Sequence, residues 1–185
     1  MAVLGMVEFS SIAIGIRASD AMVKAAPIDL FESRPISPGK YMSLITGDVA
    51  AVEASVQAGV RDAGTQVIVE SFVLANLHDQ VLSALSEPVV KMTIDAIGVI
   101  ETSSAASAVK AADAVCKTSP VQLIRLHLAN HIGGKGYAVF SGGVADVEAS
   151  LDAGETAADG HLLEGVTIPN PYDDLYKHLL RDLEW

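Results

Sequence analysis

The sequence is poor in cysteine, aromatic residues and positive charge, and each shortage excludes a class of protein. Its 185 residues include a single cysteine, Cys116, so one chain can form neither an internal disulfide nor a multi-cysteine zinc site. Aromatic side chains make up only 5% of the residues, although 50% are hydrophobic. Because most of the apolar residues are small, we expect closely packed backbone layers rather than one bulky core.

Basic residues are outnumbered by acidic ones, 12 against 23, which gives a formal net charge of −11. An acidic surface repels a phosphate backbone at long range, so we expect no nucleic-acid partner. The sequence has no uninterrupted apolar run of about 18 residues, the length that a membrane span requires. Its first residues also lack the layout of a signal peptide. We therefore expect a cytoplasmic protein without a membrane partner.

What the sequence does contain is an internal duplication. Residues 45–59 read ITGDVAAVEASVQAG and residues 140–154 read FSGGVADVEASLDAG, with nine of the fifteen positions identical. Further matches, at offsets of 93 and 94, join residues 5–30 to 98–123 and 69–79 to 163–173. The whole chain is thus two copies of one unit, and we place the domains at 1–90 and 94–185. Units of about 90 residues are near the lower limit for a self-sufficient core.

Both copies predict the same order of elements. Each begins with an apolar strand that ends in a serine pair able to cap a helix, and a proline follows that helix. In the first copy the predicted segments are a strand over 3–9, a helix to Ala26, a hairpin of 28–34 and 41–46, a helix from Asp48 closed by Gly59 and Gly64, a strand over 67–74, a helix over 79–85 and a linker over 87–95. This order predicts an α+β fold, an antiparallel sheet with helices on one side.

The pairs Gly39-Lys40 and Gly134-Lys135 match part of the phosphate-binding loop motif. That loop requires Gly-x4-Gly-Lys-Ser/Thr at the start of a helix. The residue five positions before Gly39 is Arg34, the residue five before Gly134 is Ala129, and a predicted strand follows each lysine. Nucleotide binding is therefore not expected.

Isolated residues suggest other chemistry without completing a site. His127 and His131 are close in sequence, but a metal site needs a third ligand and none is near. Cys116 falls on the apolar face of a predicted helix, which favours a buried, inert thiol. Glu8 and Glu101 recur at the end of the first strand of each copy, where a paired-carboxylate enzyme or, more simply, a duplicated structural hydrogen bond would explain them. We assign no catalytic residue and no metal site.

Several spaced motifs resemble the shell-protein domain of bacterial microcompartments. They are ASDAMVKAAPIDL, GDVAAVEASVQAG and VLANLH in the first copy and AADAVCKTSPVQL, IGGKGY and IPNPYD in the second. The resemblance covers essentially the whole chain and is closest to the tandem-domain, trimeric shell proteins of propanediol-utilisation microcompartments. It implies a structural facet protein rather than an enzyme. Three chains would close a pseudo-hexagonal trimer with a central pore, in a microcompartment shell within the bacterial cytoplasm.

The resemblance also implies roles for particular residues. The hairpin turns of both copies surround the pore in this family, so the pore-lining residues would be Ile36, Ser37, Pro38, Gly39, His131, Ile132, Gly133 and Gly134. The lysine of the VKAA motif packs at the tile edge, which gives Lys24 and Lys117. Many members carry an arginine at the edge where this sequence has Asn76 and Asn170. The implied partners are a homotrimer, other shell proteins edge to edge, encapsulated cargo enzymes and small metabolites at the pore.

A tandem-domain relative holds an iron–sulfur cluster on its pore axis through a cysteine at the position that reads Ser37 here. A hydroxyl is a poor iron ligand beside a thiolate, so we predict no cofactor and a neutral polar ring of Ser37 side chains. A second class of function stays open, a trimeric small-molecule-binding regulatory protein, since duplicated α+β units also occur in signalling proteins. A ligand-dependent rise in melting temperature without sheet formation would favour that class.

Overall fold

The computed structural model describes residues 2–86 and 95–179. The first repeat forms a four-stranded antiparallel sheet in the order β2-β3-β1-β4. Its elements are β1 (Ala2–Phe9), α1 (Ile12–Ala25), β2 (Asp29–Ile36), β3 (Lys40–Thr46), α2 (Val49–Ala63), β4 (Ile68–Leu77) and α3 (Asp79–Ser86). Helices α1 and α2 pack against each other, and they contact β3 and β1 respectively.

The second repeat has the same architecture, with the strand order β6-β7-β5-β8. Its elements are β5 (Ala96–Thr102), α4 (Ala105–Thr118), β6 (Gln122–Leu128), β7 (Gly136–Gly142), α5 (Val144–Ala158), β8 (Leu162–Pro169) and α6 (Asp173–Leu179). The predicted α+β fold of two like copies is confirmed. None of the helices described within 2–86 and 95–179 is both long and apolar enough to span a membrane.

The serine pairs begin the first helix of each repeat as predicted. The backbone N–H of Ile14 donates to Ser11 Oγ at 3.4 Å, and the N–H of Ser107 donates to Ser104 Oγ at 3.0 Å. Each bond satisfies one of the backbone donors that a helix leaves unpaired at its start. The same cap at both sites fixes the direction in which α1 and α4 leave the sheet.

Two predictions about the first copy need correction. Gly64 ends α2 with φ +81°, but Gly59 lies inside the helix. A Cβ on Gly59 would lie 2.6 Å from Met22 Cγ, so the missing side chain lets α1 and α2 approach each other. The last strand was predicted to end at Leu74, whereas β4 continues to Leu77. Residues 87–94 of the predicted linker lie outside the described residues.

The chain divides into two compact units that do not coincide with the sequence repeats. The first unit contains the described residues up to Leu77 together with Ala129–Gly134. The second contains His78–Leu128 and the described residues from Lys135 onward. The loop after β6 therefore belongs to the first unit, and α3 belongs to the second. This exchange brings together the turns described next.

Candidate functional site: the paired turns

The first turn joins β2 to β3 through Ser37, Pro38 and Gly39. The Ser37–Pro38 peptide is cis, and Gly39 has φ +89°, a conformation that favours glycine. The N–H of Gly39 donates to the carbonyl of Ile36 at 3.1 Å. Ile36 is buried, whereas Pro38 and Gly39 are exposed. The tip of the turn thus presents small groups and backbone to solvent.

The loop Ala129–Gly134 of the second repeat lies against this turn within the first unit. The N–H of Ser37 donates to the carbonyl of Ala129 at 3.0 Å, and the N–H of His131 donates to Ser37 Oγ at 3.1 Å. Arg34 Nη1 donates to Asn130 Oδ1 at 3.0 Å. The structure therefore brings together the two sets of turn residues that, by the family resemblance, would line one pore. We call this assembly the paired turns.

The second loop has an unusual backbone. Ala129 and His131 adopt φ values of +55° and +58°, and Gly133 and Gly134 adopt +68° and +86°. Positive φ is unfavourable for residues with a Cβ, so the hydrogen bonds to Ser37 help to hold this shape. Gly134 is buried, and a Cβ there would lie 2.8 Å from Pro38 Cδ. His131 and Gly133 are exposed and Ile132 is half-buried.

The turn residues do not fit an iron–sulfur cluster. Ser37 supplies a hydroxyl that already accepts the His131 amide, and a hydroxyl is not the thiolate that such clusters use. The single cysteine, Cys116, is buried in α4. Burial, with a smaller contribution from the charge of Asp113, raises the pKa of Cys116 to about 12. Its thiol is therefore neutral and inert at physiological pH, as the sequence predicted.

An ion pair anchors the strand that follows each turn. Lys40 Nζ lies 2.8 Å from Glu8 Oε1, and Glu8 is fully buried. In the second repeat Lys135 Nζ lies 2.5 Å from Glu101 Oε1, on a more exposed surface. The lysines of the two Gly-Lys pairs thus bind the two recurring glutamates. This favours the structural role of the glutamates, and the parallel recurrence of both residue types is the sequence signal that connects them.

The two histidines of the suspected metal site have separate settings. His127 stacks on Tyr137, with ring centroids 5.2 Å apart and planes inclined by 21°. His131 belongs to the loop of the paired turns. Within the part of the chain that the structure describes, no three His, Cys, Asp or Glu side chains are grouped so that they could hold a metal ion.

The residues predicted for the tile edge occupy matching positions in the two repeats. Lys24 and Lys117 lie in the last turns of α1 and α4. Each pairs with the aspartate one turn earlier, at 2.5 Å in both cases. The Lys24 side chain is 73% exposed and that of Lys117 is 38% exposed. Asn76 and Asn170 are both exposed, near the ends of β4 and β8.

The two repeats, whose turns meet in the paired turns, both match a known protein domain. The BMC domain model matches residues 3–77 and 96–171. The bacterial microcompartment shell protein PduT of Citrobacter freundii is 39% identical over 179 residues, which cover 96% of this chain and 97% of that protein. The carboxysome assembly protein CcmO of a Synechococcus elongatus strain is 30% identical, with 95% of this chain and 68% of that protein covered.

A solved structure agrees with these relatives. The crystal structure of a microcompartment protein from Desulfitobacterium hafniense DCB superposes with a TM-score of 0.84 at 46% sequence identity, and the match covers 96% of this chain and 99% of that one. The chain belongs to the BMC-domain family of bacterial microcompartment shell proteins, and it carries two tandem copies of the domain. Its relatives are structural shell components rather than enzymes.

Proposed function

We propose that three copies of this chain close into a pseudo-hexagonal facet tile whose paired turns surround a central pore. The observation that carries the proposal is the attachment of the second repeat's turn loop to Ser37 in the first unit. Each chain would bring two of six rim segments already joined, and threefold symmetry would complete the ring. The domains at 1–90 and 94–185 would each fill one of the six positions.

The pore would be a narrow polar opening for small molecules. Its lining would be the eight turn residues, with the exposed Pro38, Gly39, His131 and Gly133 nearest to the solute and the buried Ile36 behind them. Backbone amides can replace part of the hydration shell of a solute, and glycine allows close approach. The net charge of −11 per chain would disfavour entry of anions relative to cations and neutral metabolites.

The edge of the tile would contact other shell proteins through Lys24, Lys117, Asn76 and Asn170. Asparagine in place of the arginine of many family members removes a charge, so these contacts would depend more on the two lysines. Cargo enzymes would bind to the face of the tile that points into the microcompartment. The family resemblance, together with the exposed positions of these side chains, supports this assignment.

A mass measurement combined with electron microscopy tests the proposal. The expected result is a particle of three 19.2 kDa chains that forms sheets or tubes at high concentration, with a hole at the centre of each tile. A monomer at all concentrations would contradict it. A discrete trimer that forms no sheets, and whose melting temperature rises with one metabolite, would instead support the regulatory function.

A further inference from the structure

The outer face of α1 and β2 is exposed where the same face of the second repeat is buried. At an offset of 93, five large apolar residues of the first repeat pair with buried residues of the second. Ile12, Ile16, Val23, Leu30 and Phe31 are 37, 54, 45, 44 and 38% exposed, whereas Ala105, Val109, Cys116, Leu123 and Ile124 are 0, 0, 6, 0 and 3% exposed. Exposed apolar residues grouped on one helix face, as Ile12, Ile16 and Val23 are on α1, mark an interaction site.

Helix α3 shows what covers this face in the second unit. It packs against α4 and β6, and Val81 is fully buried there. The N–H of His78 donates to Asp113 Oδ1 at 2.8 Å. The side-chain amide of Gln80 bonds to the backbone at the edge of the sheet as a neighbouring strand would. Its Nε2 donates to the Val121 carbonyl at 3.0 Å, and its Oε1 accepts the Leu123 N–H at 2.8 Å.

The corresponding positions of the first repeat lack such a cover. Asp20, which corresponds to Asp113, has a side chain that is 61% exposed, against 6% for Asp113. The backbone groups that correspond to those held by Gln80 are the N–H of Leu30 and the carbonyl of Ile28. Strand β2 is an edge strand of its sheet. The face of α1 and β2 therefore presents apolar side chains, a carboxylate and an open strand edge.

The segment that corresponds to the cover is also exposed. At an offset of 94, Tyr172, Asp174 and Leu175 match His78, Gln80 and Val81. The two helices begin with the same turn, since Leu175 N donates to the Tyr172 carbonyl at 3.0 Å and Val81 N donates to the His78 carbonyl at 2.9 Å. Tyr172 is 77% exposed and Leu175 is 42% exposed. Among the described residues both surfaces stay exposed within one chain, so a second copy could supply the cover.

We propose that residues 170–179 of one copy dock on the α1–β2 face of a second copy, as α3 docks on α4 and β6 within each chain. Leu175 then packs against the apolar residues of α1, the N–H of Tyr172 donates to Asp20, and Asp174 accepts the N–H of Leu30. The contact is head-to-tail, so it closes into a ring when the rotation fits. It rests on the proposed trimer and assigns the residues that join its copies.

The two joints differ in one hydrogen bond. Gln80 both donates and accepts, whereas the carboxylate of Asp174 only accepts, so the Ile28 carbonyl receives no donor from it. The joint between copies therefore has one hydrogen bond fewer at this position than the joint within the chain. Asp174→Gln supplies the missing donor and should lower the concentration at which the trimer dissociates. The matched variant Gln80→Asp should lower the melting temperature and leave the dissociation of the trimer unchanged.

Leu175→Asp tests the apolar part of the joint by placing a charge in it. Sedimentation across a dilution series should show a dissociation concentration at least about tenfold higher than that of the wild type. The control is Val49→Asp, because Val49 and its counterpart Val144 are exposed in both repeats, at 41 and 38%, and so lie outside the joint. Circular dichroism verifies that each variant keeps its fold.

A cross-link locates the joint directly. In a Cys116→Ser background, Asp20→Cys with Tyr172→Cys should give covalent multimers on oxidation. The repeat-matched pair, Asp113→Cys with His78→Cys, should give a link within the monomer. A wild-type trimer that neither cross-links nor responds to Leu175→Asp overturns the docking assignment and leaves the tile proposal intact. A monomeric wild type overturns both, and assembly only with a different shell protein overturns the choice of a second copy as occupant.

Discussion

The hydroxyl of Ser37 has a defined task in the paired turns, the acceptance of the His131 amide. The single cysteine, Cys116, is buried, so anaerobically purified protein should contain no stoichiometric iron and should show no visible absorption band. Ser37→Cys should gain iron on reconstitution, because the proposed trimer would then bring three thiolates to one axis. Ser10→Cys, at an exposed position outside the turn, serves as the control and should gain none. A cluster signal in the wild type would contradict the assignment.

The two turn-anchoring ion pairs differ in burial, which predicts unequal costs for the same substitution. Glu8→Gln weakens a charge-assisted hydrogen bond of a fully buried carboxylate to Lys40, whose side chain is 19% exposed. We expect the free energy of unfolding to fall by about 1–3 kcal/mol. Glu101→Gln acts on a pair that is 35–51% exposed and should cost less than about 1 kcal/mol. Equal losses in denaturant titrations would show that burial is not the deciding factor.

At the scale of the elements, two glycines set how closely the paired helices approach. A Cβ on Gly154 would lie 2.3 Å from Ile100 Cδ1 and 2.8 Å from Val115 Cγ2, whereas a Cβ on Gly59 would meet the flexible Met22. Val115 is β-branched and cannot move aside as a methionine can. Gly154→Ala should therefore destabilise by about 1–3 kcal/mol. Gly59→Ala should be near neutral, since better helix propensity offsets about 1 kcal/mol of crowding. Thermal unfolding of the two variants distinguishes these outcomes.

Most helices and strands could be predicted from the sequence, because the same capping, turn and periodicity signals occur in both repeats. The serine caps Ser11 and Ser104 and the turn glycine Gly39 act where the sequence placed them. What the sequence did not predict were contacts between distant segments. Gln80 bonds to β6 some 43 residues away, and the Ser37–His131 bond spans 94 residues. Such contacts depend on how the chain closes in space, and hydrophobic periodicity carries no information about that closure.

At the candidate site, too, the sequence predicts local features better than it predicts the backbone conformation that tertiary contacts impose. Position in the hairpins was enough to predict which residues form the turns, but the left-handed backbone of Ala129 and His131 was not, because neither is a residue that requires it. The prediction that Gly59 helps to end α2 is wrong for a related reason. A glycine that ends a helix and a glycine that admits a neighbouring helix look alike in a single sequence.

At the scale of the whole molecule, the net charge would oppose the joining of the proposed tiles. With −11 per chain, or about three times that in the proposed trimer, neighbouring tiles would repel each other. Salt shortens the range of that repulsion to about 8 Å at 0.15 M, so sheets should form at lower protein concentration in 0.15 M than in 0.01 M salt. Light scattering measures this onset. Sheets that form more readily at low salt would indicate that attraction between charges, rather than repulsion, governs the edge.

The edge lysines can be separated from this general effect. Lys24→Ala with Lys117→Ala should prevent sheet formation and leave the particle mass unchanged, because in the proposed assembly the two side chains would act between tiles. Arg61→Ala removes an exposed positive charge from α2 and is the matched control, which should still form sheets. Loss of sheets in the control as well would assign the effect to net charge.

The exchange of segments between the two units has a consequence for fragments of the chain. The first unit borrows the six residues Ala129–Gly134 from the second repeat, and the second unit borrows α3 from the first. If the chain were divided between the repeats, the first product would lack Ala129–Gly134 and the second would lack α3. Each fragment would thus need the other to complete its unit.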